Sequence, residues 1–275
     1  MGKKILRNSI VLFFVITFSA TAMADKKKHL PHIIAILAHP DDEAWLSGTA
    51  ALIASKHPNF TVIYATSGDA GHDVSGMGLS GKKLAQEREK EAQRALTALG
   101  VAKPAVFLRL PDSKLTIEAN TNLLRSTLKT VIEQHQANII LTFGEDGITA
   151  HSDHIMVGKI TREVADHSPS VQTVLNVALS ESRAAAMNRH AQEQGLDLAS
   201  MVNLNPIADS AIDYRVNVAR YNTNRTAAFS QHHTQFPVPL MALWNIFVPN
   251  EPIEEMVVSR KHKKQDKYLK TLLSH

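Results

Sequence analysis

Apolar runs of five or six residues alternate with longer stretches of helical periodicity along most of this chain. Ile33 to Ala38 and Ile139 to Phe143 are almost uninterrupted apolar runs, the pattern of strands buried on both faces. Phe60 to Ala65, Val106 to Leu110 and Val171 to Ala178 read as strands of the same kind. Between them, Glu43 to Lys56, Lys82 to Leu99, Asn122 to His135 and His154 to Asp166 have helical spacing, and Gly100 follows the second as a C-cap. This order predicts an α/β fold, a Rossmann-like three-layer sandwich with a mostly parallel central sheet and right-handed crossovers. Ligands of such sheets gather outside the C-terminal ends of the strands. After Glu181 the rhythm weakens. Residues 181–212 read as an irregular or helical insertion, Tyr214 to Ala219 as an edge strand and Asn224 to His233 as a helix. No internal repeat or low-complexity linker appears, so residues 25–275 are expected to form one domain.

Residues 1–24 are set apart from the fold. Lys3, Lys4 and Arg7 precede a short apolar stretch, Ile10 to Phe18, and Ala22-Met23-Ala24 resembles a signal-peptidase site. The stretch is shorter than the roughly 20 residues that span a bilayer. A periplasmic or secreted bacterial protein is therefore expected, with no integral membrane segment after cleavage. The chain has no cysteine, which excludes disulfides, thiol catalysis and thiolate ligands. Removing Lys3, Lys4 and Arg7 lowers the formal charge from +4 to +1. The remaining basic stretch, Arg260 to Lys270, is expected to be a solvated helix, and no nucleic-acid partner is expected.

Two segments change the picture, His39-Pro40-Asp41-Asp42-Glu43 and His151-Ser152-Asp153-His154. Each follows a strand-like run, so both fall on the same edge of a parallel sheet. Neutral imidazoles and carboxylates suit a divalent ion, and a catalytic zinc needs three such groups and an open position. The Asp-Asp pair also brings to mind metal-dependent glycosyltransferases, although no nucleotide site accompanies it. Gly76-Met77-Gly78-Leu79-Ser80-Gly81 matches the dinucleotide fingerprint by letter, but no strand directly precedes it. It reads as a loop over the site.

With these motifs the chain resembles the PIG-L/LmbE-like zinc-dependent N-acetylglucosamine deacetylases from about Ile33 to Gln235. Ala38 to Glu43 match the first family motif, and His151 to His154 the second, with Ser152 where proline is usual. Thr66 to Gly71, Arg88 with Glu91, Leu99-Gly100, Leu110-Pro111-Asp112 and His232 to Gln235 follow in the family's order. The resemblance implies a deacetylase of an N-acetylglucosamine-type amino sugar. It implies His39, Asp42 and His154 as ligands of Zn2+, with another divalent metal such as Fe2+ an option. It further implies Asp41 as general base, His151 as acid and oxyanion partner, and Asp153 as the group that fixes an imidazole tautomer. Arg88, Asp112 and Asp69 would contact the sugar, with Arg88 alternatively paired to Glu91. Thr149 stands where some relatives have tyrosine. His72, Trp45 and Trp244 are further candidates for a sugar site, and Glu43 either supports the metal loop or caps a helix. A non-catalytic sugar-binding protein on the same fold remains the alternative.

Overall fold

Strand-forming apolar runs and helices alternate as the pattern requires. The computed structural model describes residues 30–261 and 266–273; the expected leader, residues 1–24, lies outside them. The elements are β1 (Ile33–Leu37), α1 (Ser47–Lys56), β2 (Phe60–Tyr64), α2 (Gly81–Ala98), β3 (Val106–Phe107), α3 (Glu118–Gln134), β4 (Ile139–Phe143), α4 (Gly147–Ala150) and α5 (Ser152–Asp166). Then come β5 (Thr173–Ala178), α6 (Glu181–Glu193), α7 (Leu198–Met201), β6 (Tyr214–Asn217), α8 (Asn222–Phe229), α9 (Val238–Asn250), β7 (Ile253–Lys261) and α10 (Asp266–Leu273).

The strands form one seven-stranded sheet in the order β3-β2-β1-β4-β5-β7-β6. Strands β1 to β5 are parallel, with Ile33 aligned to both Phe60 and Ile139, while β7 runs antiparallel to β5 and β6. Every residue of β1, β2, β4 and β5 is buried. Their largely apolar character, interrupted by Thr61, Thr142, Thr173 and Asn176, is the consequence of helices on both faces. Helices α3 and α5 pack together, with α5 against β1 and β4, while α1, α2 and α8 pack together. The three-layer, mostly parallel architecture is the one the alternation predicts. Strands β1 and β4 lie side by side although three helices and two strands separate them in sequence. This is the switch point, where the chain turns outward in opposite directions and leaves a crevice.

Departures from the expected elements have local causes. Strand β3 is shorter than expected because Arg109 adopts φ 55 and leaves the ladder, although Leu110 N–H still donates to Ala65 O at 2.9 Å. Helix α3 starts four residues early, with a polar first turn that carries no apolar signal. Helix α9 and strand β7 were not expected. Pro237 and Pro239 suppress the helical signal, yet they sit at the start of α9, where a missing N–H costs little. The basic stretch is a solvated helix only in part, at Lys267 and Lys270 on α10, and its residues 262–265 lie outside the described residues. Arg260 belongs to β7 and pairs with Asp166 at 2.9 Å, and α10 buries Leu269, Leu272 and Leu273.

Candidate active site

The loop after β1 is built around its own acidic residues. Asp42 Oδ2 accepts from the backbone N–H groups of Ala38 (2.9 Å) and His39 (2.7 Å), folding the carboxylate back under the strand end. Asp41 is forced to φ 138, a conformation L-residues rarely adopt and one that marks functional loops. Its N–H donates to Glu43 Oε2 at 3.2 Å. Glu43 is itself buried and accepts from Tyr64 Oη at 2.7 Å and from His232 Nε2, whose other nitrogen lies 3.1 Å from Gln235 Nε2. Glu43 therefore supports the loop from below and does not cap a helix.

The loop after β4 is also strained, with Ile148 and Ala150 at φ 62 and 54. Asp146 holds it by accepting from Ile148 N–H at 2.8 Å. His151 then caps α5, its Nδ1 accepting from Asp153 N–H at 3.2 Å. A neutral His151 accordingly carries its proton on Nε2. Asp153 is fully buried in the first turn of α5 and accepts from Ser113 and Leu115 N–H at 2.8 and 3.1 Å. It ties the loop after β3 to the site.

These two loops bring His39, Asp42 and His154 together. His154 Nδ1 donates to Gly147 O at 2.9 Å, so its Nε2 lone pair points inward. His39 Nε2 lies 3.3 Å from Asp112 and 3.5 Å from Asp153, two acceptors that place the proton there and turn the Nδ1 lone pair inward. The two inward nitrogens are 3.2 Å apart. Asp42 Oδ1 lies 3.0 Å from His154 Nε2, and Asp42 Oδ2 3.7 Å from His39 Nδ1. Facing lone pairs repel unless a cation lies between them. Ligand bonds of about 2.05 Å at tetrahedral angles separate donor atoms by about 3.3 Å, close to the spacing seen. The residues therefore fit a small divalent ion. His39, His151 and His154 also offer ring nitrogens within 4.8 Å of one another, as do atoms of His39, Asp112 and Asp153. The cluster could hold a metal, with His39 common to each set.

The electrostatics point the same way. Burial works against a charge on His39, but hydrogen bonds to Asp112 and Asp153 outweigh it and hold its pKa well above 6.5. Burial would raise Asp42, yet His154 and His39 bring it down to about 2. Burial and the Asp42 carboxylate push Asp41 up to about 7. His151 is lowered by burial and by the neighbouring His39 and His154, so it favours the neutral form. Carboxylates that favour positive charge on the His39 ring also favour a cation beside it.

A cavity of about 430 Å³ opens over this cluster, lined by Asp41, His151, Arg88 and Asp112 among others. Arg88 is buried and donates to Gly68 O (2.8 Å) and His72 O (2.9 Å). It makes no pair with Glu91, which instead accepts from Thr234 N–H and Oγ1. Asp112 is engaged twice, by Ala70 N–H at 2.8 Å and by His39. Asp69 is exposed and falls outside this cavity, in a shallow depression with Lys82 and Arg109. Trp45, Trp244, His72 and Thr149 do line the cavity. The segment Gly76–Gly81 does not, although Val74 just before it does. Sequence reasoning missed Tyr64, which reads simply as a strand residue. Of the wall supplied by α6 to α9 it found Trp244 alone.

Residues 34–165 match the family model described as PIG-L, GlcNAc-PI de-N-acetylase. That segment, just under half of the chain, is a PIG-L domain. The 1D-myo-inositol 2-acetamido-2-deoxy-alpha-D-glucopyranoside deacetylase 1 of Saccharopolyspora erythraea is 24% identical over 245 residues, covering 78% of this chain and 80% of that one. Among solved structures, the N,N'-diacetylchitobiose deacetylase of Pyrococcus horikoshii superposes with TM-score 0.60 at 19% identity, covering 85% of each chain. The 4-carboxy-2-hydroxymuconate hydratase of Pseudomonas putida KT2440 does so with TM-score 0.59 at 15% identity, covering 85% of this chain and 98% of the other. A deacetylase and a hydratase on one fold show that the architecture leaves the reaction open, and the site must decide it.

Proposed function

We propose that this PIG-L protein is an exported, zinc-dependent deacetylase that hydrolyses the N-acetyl group of an N-acetylglucosamine-type amino sugar. The observation that carries the reading is the meeting of two imidazole lone pairs and the Asp42 carboxylate, 3.0 to 3.7 Å apart, beside a second carboxylate that shares their cavity. His39, Asp42 and His154 would hold the ion, and iron would fit the same donors. A bound divalent ion supplies Lewis-acid activation of water and of the amide carbonyl.

The remaining chemistry belongs to side chains. Asp41 is the base: raised to about 7, it can accept a proton near neutral pH and pass it on. Glu43, held by Tyr64 and His232, keeps the Asp41 backbone in its strained conformation. Neutral His151 donates from Nε2 to the carbonyl oxygen as negative charge grows there. Asp112 and Asp153 hold the His39 ring, and Arg88 offers its cation to sugar hydroxyls. Export rests on the leader pattern of residues 1–24.

The test is acetate release from a panel of N-acetylated sugars by residues 25–275, assayed with zinc, with iron(II) and after chelation. Release that chelator abolishes and metal restores is expected. Metal-bound protein that releases acetate from acetylated peptides but from no sugar would contradict the amino-sugar assignment. Sugar binding without any release would instead mark a binding protein.

A further inference from the structure

The cavity over the charged cluster has two unlike walls. Every charged side chain on it lies between His39 and His154. The lining residues from Met187 to Phe247 are apolar or aromatic apart from Gln235. Met187, Leu198, Phe229, Leu243, Trp244 and Phe247 are each at most 6% exposed, so this wall is packed and continuous with the core. Phe229 stacks on Phe236 at 4.1 Å and on Trp244 at 4.5 Å, within 14° of parallel, which makes the wall rigid. At about 430 Å³ the cavity is in the range of sites that enclose a drug-sized ligand, far more than an acetyl methyl requires.

Sugar hydroxyls set against this wall would lose water and gain no partner. A scissile amide has two substituents, the carrier amine and the acyl group. On the reading above, on which this inference rests, the carrier is a sugar whose hydroxyls suit the side lined by Arg88, Asp112 and His72. The apolar wall is then left to the acyl group. We infer that the preferred substrate is an amino sugar N-acylated with a chain longer than acetyl, of hexanoyl or octanoyl size. The reaction is unchanged in kind. Water adds to the amide carbon, the C–N bond breaks, the nitrogen takes up a proton, and a fatty carboxylate and a free amino sugar leave.

Two readouts test this. The first is kcat/KM for glucosamine carrying N-acetyl, N-butanoyl, N-hexanoyl and N-octanoyl groups. A rise of roughly threefold to fourfold per methylene is expected until the wall is filled. In Leu240→Gln, a half-buried lining position, the rise should flatten. The second readout does not depend on turnover. The chain has two tryptophans, Trp45 and Trp244, and both line the cavity, so intrinsic fluorescence reports its occupancy. In Asp41→Asn, N-octanoylglucosamine is expected to bind more than tenfold tighter than N-acetylglucosamine, and tighter than the octyl glycoside of N-acetylglucosamine. A flat or falling series in both readouts overturns the inference and leaves the deacetylase reading intact. An octyl glycoside that binds best overturns the placement of the chain on the acyl side. Tight octanoyl binding with no hydrolysis of any member sustains the apolar subsite and removes the deacylase reading.

Discussion

Residues 33–178 and 181–273 complete one sheet by opposite uses of charge. In the first region the strands are largely apolar, and charged residues drawn inside gather around the site, Asp42 and Asp112 in the loops after β1 and β3, Arg88 on α2 and Asp153 in the first turn of α5. In the second region buried charge is scaffolding. Glu254 on β7 accepts from Gly48 and Thr49 N–H at the start of α1, at 2.8 and 2.7 Å, and lies 3.4 Å from fully buried Arg225. Its neighbour Glu255 accepts from Ser180, the N-cap of α6. Both carboxylates satisfy donors that helix starts leave unpaired. Here the apolar side chains are the ones that face the cavity. Apart from Glu91, which is buried on α2 to hold Thr234, burial of a charged group goes with the site in the first region of this molecule and with assembly in the second.

The sharpest way to break that contrast is to remove a ligand. His39→Ala and His154→Ala are each expected to abolish both metal binding and turnover, because two protein ligands rarely retain a catalytic ion. Metal analysis and acetate release check this, and metal content at the wild-type level in both variants would remove the site. Asp41→Asn should keep its metal and lose about 10²–10⁴-fold in turnover, the usual worth of a general base. A fall of less than tenfold would move the base elsewhere.

The same contrast explains what the sequence showed. His39, Asp41, Asp42, His151 and His154 were legible because imidazoles and carboxylates at the ends of apolar runs have few other uses, and the parallel sheet placed both runs on one edge. Asp69 lies outside the cavity, since position after a strand does not say which way a loop side chain faces. Helix α9 was hidden by Pro237, Pro239 and Pro249, and β7 by Glu254 and Glu255, whose backbone donors at Gly48, Thr49 and Ser180 are far away in sequence. Pockets lined by leucine and phenylalanine leave no local mark, since the same residues serve the core.

In the second region, Glu254→Gln should destabilise the fold by roughly 3–5 kcal/mol, since it leaves Arg225 buried without its counter-charge. Urea unfolding measures this, and the folded variant should still bind metal as the wild type does. Loss of the metal from folded Glu254→Gln would make this charge part of the site. The smallest expected effect lies where the two regions meet, at His232 and Glu43. Burial disfavours the His232 cation, but Glu43 outweighs it and raises the pKa above 6.5. The folded protein thus keeps a proton that the unfolded chain releases first. This stabilisation is complete below about pH 6.5 and is lost as the pH rises through the raised value, at no more than about 1.4 kcal/mol per pH unit. Urea midpoints from pH 6 to 9 should fall less steeply in His232→Gln than in the wild type, and parallel curves would contradict the pairing.

The central claim is that His39, Asp42 and His154 hold the ion while Asp41 and His151 act beside it. Metal stoichiometry in Asp42→Ala and His151→Ala, each stripped by chelator and reloaded with zinc, tests it most directly. One ion per chain is expected in His151→Ala and in the wild type, and none in Asp42→Ala. Retention by Asp42→Ala together with loss from His151→Ala would put the third imidazole on the metal and contradict the assignment.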